Sequence, residues 1–220
     1  MSTPVLFIGN KTYSSWSMRP WLALKWAGIA FEERVIPLAM GGYGKSVISD
    51  IRAASPSGRV PALHVESATL WDSLAICEWA AEAAPQLWPQ DAMARALGRS
   101  AAAEMHAGFS ALRRELPMNT RRIAPPRDVS ADCAADLARI VELWADLRTR
   151  FGAEGPYLLG ARSIADAFYA PVATRFRSYQ VALPHGAQAY CDTLLKDEAV
   201  AQWCADAEQE PWALEAVDAH

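Results

Sequence analysis

Apolar runs short enough to be strands alternate with helical spacing over the first 83 residues, and helical spacing alone continues beyond them. PVLFIGN (4–10) stays apolar as far as Gly9-Asn10 and predicts a buried strand. MRPWLALKWAG (18–28) predicts a helix closed by Gly28, with Ser17 as its N-cap and Pro20 in the first turn, where a missing N–H costs nothing. FEERVIPL (31–38) alternates loosely and stops at Pro37, which completes a βαβ unit. RAASPSGRVPALHV (52–65) reads as a loop entering a strand. VESATLWDS (65–73) reads as a hairpin whose second strand reaches Asp72-Ser73, and SLAICEWAAEAAP (73–85) as a helix stopped by Pro85.

QLWPQDA (86–92) is a linker broken by Pro89. Residues 93–115, 130–151, 163–179 and 186–206 then carry helical spacing, separated by PMN, APPRD, GAEGPYLLG and LPHG. The expected fold is an α/β domain over 1–83, a linker over 84–92 and an all-helical domain over 93–220.

Composition narrows the function. Charges balance over residues 1–83, so the whole net charge of −4 falls on the second part, and neither nucleic acid nor an anionic membrane is an expected partner. Cys77, Cys133, Cys191 and Cys204 form no CxxC pair and have no metal-ligand spacing to a histidine, which argues against a metal site and a disulfide framework. No apolar run approaches the ~18 residues that span a bilayer. A cytoplasmic location follows as an expectation. GKS (44–46) is not a phosphate loop, because the glycine it requires five positions before Gly44 is Ala39. There is no G-x-S-x-G elbow of a serine hydrolase.

The segment TYSSWSMRP (12–20) sets three serines between a strand and a helix, either to cap the helix or to bind something at its N-terminus. SSWSMRPWLAL (14–24), RVPAL (59–63), WDSLAI (71–76) and the capping box SIAD (163–166) fall in an order that resembles the cytosolic glutathione transferases, zeta-like or of a related bacterial class. The resemblance implies a thioredoxin-like N-terminal domain, an all-α C-terminal domain, glutathione as co-substrate and a homodimer.

By that resemblance Ser14 or Ser15 bonds the glutathione sulfur. Lowering a thiol pKa by two units from ~8.5 takes about 2.7 kcal/mol, within reach of one hydroxyl and helix N-terminal amides. Val60 and Pro61, with a cis bond, pair with the cysteinyl backbone. Asp72 and Ser73 meet the γ-glutamyl group, and Lys45 meets the glycyl carboxylate. Met105, His106, Phe109, Arg113, Met118 and Asn119 line the pocket of a small, largely apolar electrophile. Trp16 stands where zeta enzymes have cysteine, which counts against disulfide exchange and against their isomerase activity. A cis–trans isomerase of a dienone diacid, with Arg19 and Arg113 as partners for its carboxylates, is the alternative within enzymes. A non-catalytic glutathione-binding module is the alternative outside them.

Overall fold

A computed structural model describes residues 2–38 and 48–219. Strands β1 (Val5–Ile8), β2 (Glu32–Val35), β3 (Ala62–Val65) and β4 (Ala68–Leu70) form one sheet in the order β2-β1-β3-β4. β1 runs parallel to β2, with Val5 opposite Glu32, and antiparallel to β3, with Phe7 opposite Ala62. β3 and β4 form a hairpin with Leu63 opposite Leu70. The expected second hairpin strand is therefore shorter than its apolar pattern, and Trp71 to Ser73 turn into the next helix.

Helices α1 (Ser15–Trp26), α2 (Ser49–Ala54) and α3 (Ser73–Ala83) complete this part. α1 begins earlier than the sequence predicts. Ser14 is its N-cap, accepting the Ser17 N–H, so Ser17 does not cap it. Pro20 accordingly sits in the second turn, where it removes a backbone bond rather than replacing an idle N–H. At the other end Gly28, at φ +69°, donates to Lys25 O while Ile29 donates to Leu24 O, the paired bonds that close a helix on a left-handed residue. RAASPSG is not wholly loop, because α2 runs through Ala54.

The second part contains α4 (Ala92–Ala107), α5 (Ser110–Glu115), α6 (Ala131–Phe151), α7 (Ile164–Ser178), α8 (His185–Lys196), α9 (Glu198–Glu208) and α10 (Glu215–Asp218). The helix expected over 93–115 is broken at Gly108-Phe109, where Phe109 has φ +59°. The one expected over 186–206 is split by Asp197, whose carboxylate accepts the N–H groups of Ala199 and Val200 to start α9. The predicted capping box is present: Asp166, fully buried, accepts from Ser163 N (2.8 Å), Ser163 Oγ (2.9 Å), Leu158 N (3.1 Å) and Tyr190 Oη (2.8 Å). Trp144 packs edge-on against Tyr169 and Tyr190, with centroids 5.7 and 4.8 Å away.

One apolar core runs from Leu6 and Ile8 through α1 and α3 into α7 and α9, so α1 packs directly on α3 and α7. A second cluster gathers Tyr13, Ile36, Leu38, Ile51 and Leu214, with Val60 and Val217 at its edge, and so ties α10 to the sheet.

Candidate glutathione-binding site

The sheet register brings the predicted motifs together. β1 ends where β3 begins, and β4 ends beside the same place, so the segments after Ile8, before Ala62 and after Leu70 lie at one end of the sheet. Those segments carry Ser14 and Ser15, Val60 and Pro61, and Asp72 and Ser73. Two helix N-termini, of α1 and α3, open at this end. Their unpaired amides favour negative charge there.

The three serines are not equivalent. Ser14 Oγ donates to Ser17 Oγ at 2.7 Å, and Ser17 Oγ also accepts the Gly9 N–H at 3.1 Å. The Ser14 proton is thus committed to the helix start. Ser15, the first residue of α1, accepts from Arg175 Nη2 at 3.2 Å, and its own proton has no acceptor among the described residues. A hydroxyl that accepts from a guanidinium and retains its proton is a stronger donor than one already spent within a cap.

The Val60–Pro61 bond is cis, as is the bond between Trp71 and Asp72. Asp72 caps α3 by accepting the Leu74 N–H at 3.0 Å through one oxygen, and its other oxygen lies 3.0 Å from His106 Nε2. That contact selects the imidazole tautomer with its proton on Nε2. Burial pushes the His106 pKa below its usual value; Asp72 opposes this and Arg19 adds to it. Ser73 is fully buried at the first turn of α3 and its Oγ has no partner.

The predicted electrophile pocket is less open than the sequence implies. Met105, Phe109, Met118 and Asn119 are buried rather than exposed. Asn119 Nδ2 donates to Asp218 at 2.8 Å. Arg113 is tied back to its own chain, donating to the carbonyls of Gly108 (3.0 Å) and Met105. Arg19 is fully buried, its guanidinium 4.4 Å from the centre of the Trp16 ring and 4.7 Å from that of Phe168. Arg19 is thus sealed from solvent, whereas Arg113 is only partly buried. Lys45 lies outside the described residues.

Sequence reading missed the clamp that holds the serine-bearing loop. Glu210 accepts from Lys11 N (2.6 Å), Thr12 N (3.0 Å) and Thr12 Oγ1 (2.8 Å). Trp203 Nε1 donates to Lys11 O at 2.9 Å, and Tyr13 Oη donates to Asp218 while accepting from Arg121 and Leu214. The buried Lys11 ammonium pairs with Asp206 at 2.6 Å and Glu33 at 2.9 Å.

The profile of the glutathione S-transferase N-terminal domain matches residues 13–83. Residues 13–83 are a glutathione S-transferase N-terminal domain. The chain is also similar to maleylacetoacetate isomerase of Rattus norvegicus, 38% identical over 98 residues, a stretch that spans 44% of this chain and 44% of that enzyme. Among solved structures it resembles a Burkholderia glutathione transferase homologue with bound glutathione, at TM-score 0.71 and 21% identity, covering 95% of this chain and all of that one (100%). It resembles equally a bacterial maleyl pyruvate isomerase of the zeta class, at TM-score 0.71 and 23% identity over 96% of this chain and 100% of that one. The thioredoxin-like sheet followed by helices is therefore the glutathione transferase fold along nearly the whole chain. No helix among the described residues is long and apolar enough to cross a membrane.

Proposed function

We propose that the protein is a glutathione transferase that adds the glutathione thiolate to a small, largely apolar electrophile. The carrying observation is the convergence of Ser15, the Val60–Pro61 turn and Asp72-Ser73 at one end of the sheet beside two helix N-termini. In this reading the cysteinyl backbone pairs with Val60 as an added strand would, and the γ-glutamyl carboxylate takes the orphaned Ser73 hydroxyl. Asp72 receives the ammonium. Ser15 donates to the sulfur, and the α1 N-terminus favours the thiolate over the thiol. The electrophile enters between the sheet and α4–α5, beside His106 and the half-buried Trp16.

A second reading, glutathione-dependent cis–trans isomerisation, is favoured by the 38% identity to the rat isomerase. There glutathione adds and leaves, so it is not consumed. Catalysis in a homodimer fits the exposed Trp71 and Met93, large apolar side chains that a second copy would cover. Four free cysteines fit a reducing cytoplasm.

The test is the ultraviolet thiolate difference spectrum of protein-bound glutathione titrated with pH. Ionisation well below the free thiol supports the transferase. Binding without ionisation refutes thiolate activation, and no binding refutes the site. Conversion of a dienone diacid at constant glutathione selects the isomerase.

A further inference from the structure

Arg19 is unexplained by any step above. Its side chain is fully buried, and Nε, Nη1 and Nη2 have no hydrogen-bond partner. Trp16 and Phe168 lie against the guanidinium, and π faces offset part of its charge but accept none of its five N–H bonds. Arginine does not escape by deprotonation, because its intrinsic pKa is too high.

The surroundings make the imbalance worse. Arg113 lies 4.9 Å from the centre of the same Trp16 ring, and its Nη1 is buried and unpaired. Arg175 adds a third guanidinium whose charge acts on Arg19. The carboxylates that face this cluster are engaged elsewhere. Asp72 holds His106 and caps α3, and Asp136 accepts the Leu112 N–H at 3.0 Å. Cys77, on α3, stays a neutral thiol because burial raises its pKa far above neutral. His106 Nδ1 is also buried and unpaired, on a ring whose centre lies 5.2 Å from that of Trp16. Water could take up N–H bonds here but could not neutralise like charges removed from solvent.

We propose that the junction beneath Trp16 binds a small monovalent anion of halide or nitrate size, coordinated by the edge of Arg19 and by Arg113 Nη1. The polar atoms are sealed from solvent, so the ligand is compact and enters when the partly exposed Trp16 ring swings aside. The anion is a resident counter-ion of the interface between α1 and α7, distinct from glutathione and from the electrophile. The inference does not depend on the transferase reading.

The experiment is thermal unfolding of the wild type and Arg19→Met, with bromide replacing gluconate at constant ionic strength. Gluconate is too bulky for a sealed site. The wild-type midpoint should rise saturably, by roughly 5–10 °C once bromide exceeds its half-saturation about 100-fold. Arg19→Met should be flat and no less stable than the wild type in gluconate. Parallel curves for the two proteins would overturn the proposal. Wild-type crystals in saturating bromide provide the second readout, which stands even if the variant does not fold. An anomalous peak against Arg19 supports the site, and its absence there overturns it.

Discussion

Replacing Ser14 and Ser15 one at a time should separate two jobs that adjacent hydroxyls perform. Under the proposed function, Ser15→Ala takes from the sulfur a charge-assisted donor worth about 1.5–3 kcal/mol. At 1.36 kcal/mol per unit, the bound thiol pKa should rise by about 1–2 units. Ten- to a hundred-fold less thiolate then remains at neutral pH, and the rate of conjugation should fall with it. Ser15→Ala also takes an acceptor from the buried Arg175 guanidinium, so stability should fall too, by about 1–3 kcal/mol, with the α1 cap intact. Ser14→Ala should act on the cap alone. Loss of the α1 cap costs about 1 kcal/mol, or roughly 2–4 °C of midpoint in a chain of this size, while the thiol titration shifts by far less. The assay is the thiolate difference spectrum with glutathione saturating, paired with thermal unfolding of each variant. A titration unchanged in Ser15→Ala but displaced in Ser14→Ala would refute the reasoning from the Ser14–Ser17 bond.

Other expectations come from the same bonds. Glu210→Ala leaves the Lys11 and Thr12 amides without their carboxylate and should cost about 2 kcal/mol, with a higher KM for glutathione, read by unfolding and steady-state kinetics. Asp166→Ala strands four buried donors and should cost about 4 kcal/mol, seen as a lower denaturant midpoint at unchanged m-value. His106 has a folded pKa below its unfolded one, so the unfolded chain binds the extra proton. Its contribution to stability is complete above the unfolded pKa of ~6.5 and is lost as pH falls below it. His106→Gln should flatten that decline in unfolding measured from pH 5 to 7. Once the pH falls below its lowered folded pKa, the His106 imidazolium beside Asp72 also competes with the glutathione ammonium, so wild-type affinity by calorimetry should fall more steeply than that of the variant.

The N-terminal pattern was legible because each element there is local. An apolar run, a helix closed by glycine and a Val-Pro before a strand are read within ten residues of each other. What defeated sequence reading was partnership at a distance. Ser17 has the composition of a cap, yet Ser14 takes the role because Ser17 Oγ is already claimed by the Gly9 amide. Phe109 carries no sign of left-handed backbone, so the break between α4 and α5 was invisible. Met105 and Met118 have the chemistry of a pocket lining but are buried in the shared apolar core. Glu210 and Arg175 reach the serine loop across 198 and 160 positions, and no local spacing encodes such a meeting.

The Glu210 clamp also sets a schedule. On the ribosome, Lys11 emerges 199 residues before the carboxylate that fixes its amide and that of Thr12. At roughly 5–20 residues per second, the β1–α1 loop waits about 10–40 s for its partner. A nascent chain can pair its strands in that interval but cannot finish the place where the sulfur would lie. Competence for glutathione should therefore be acquired in a single late step, when α9 docks, rather than growing with the N-terminal domain.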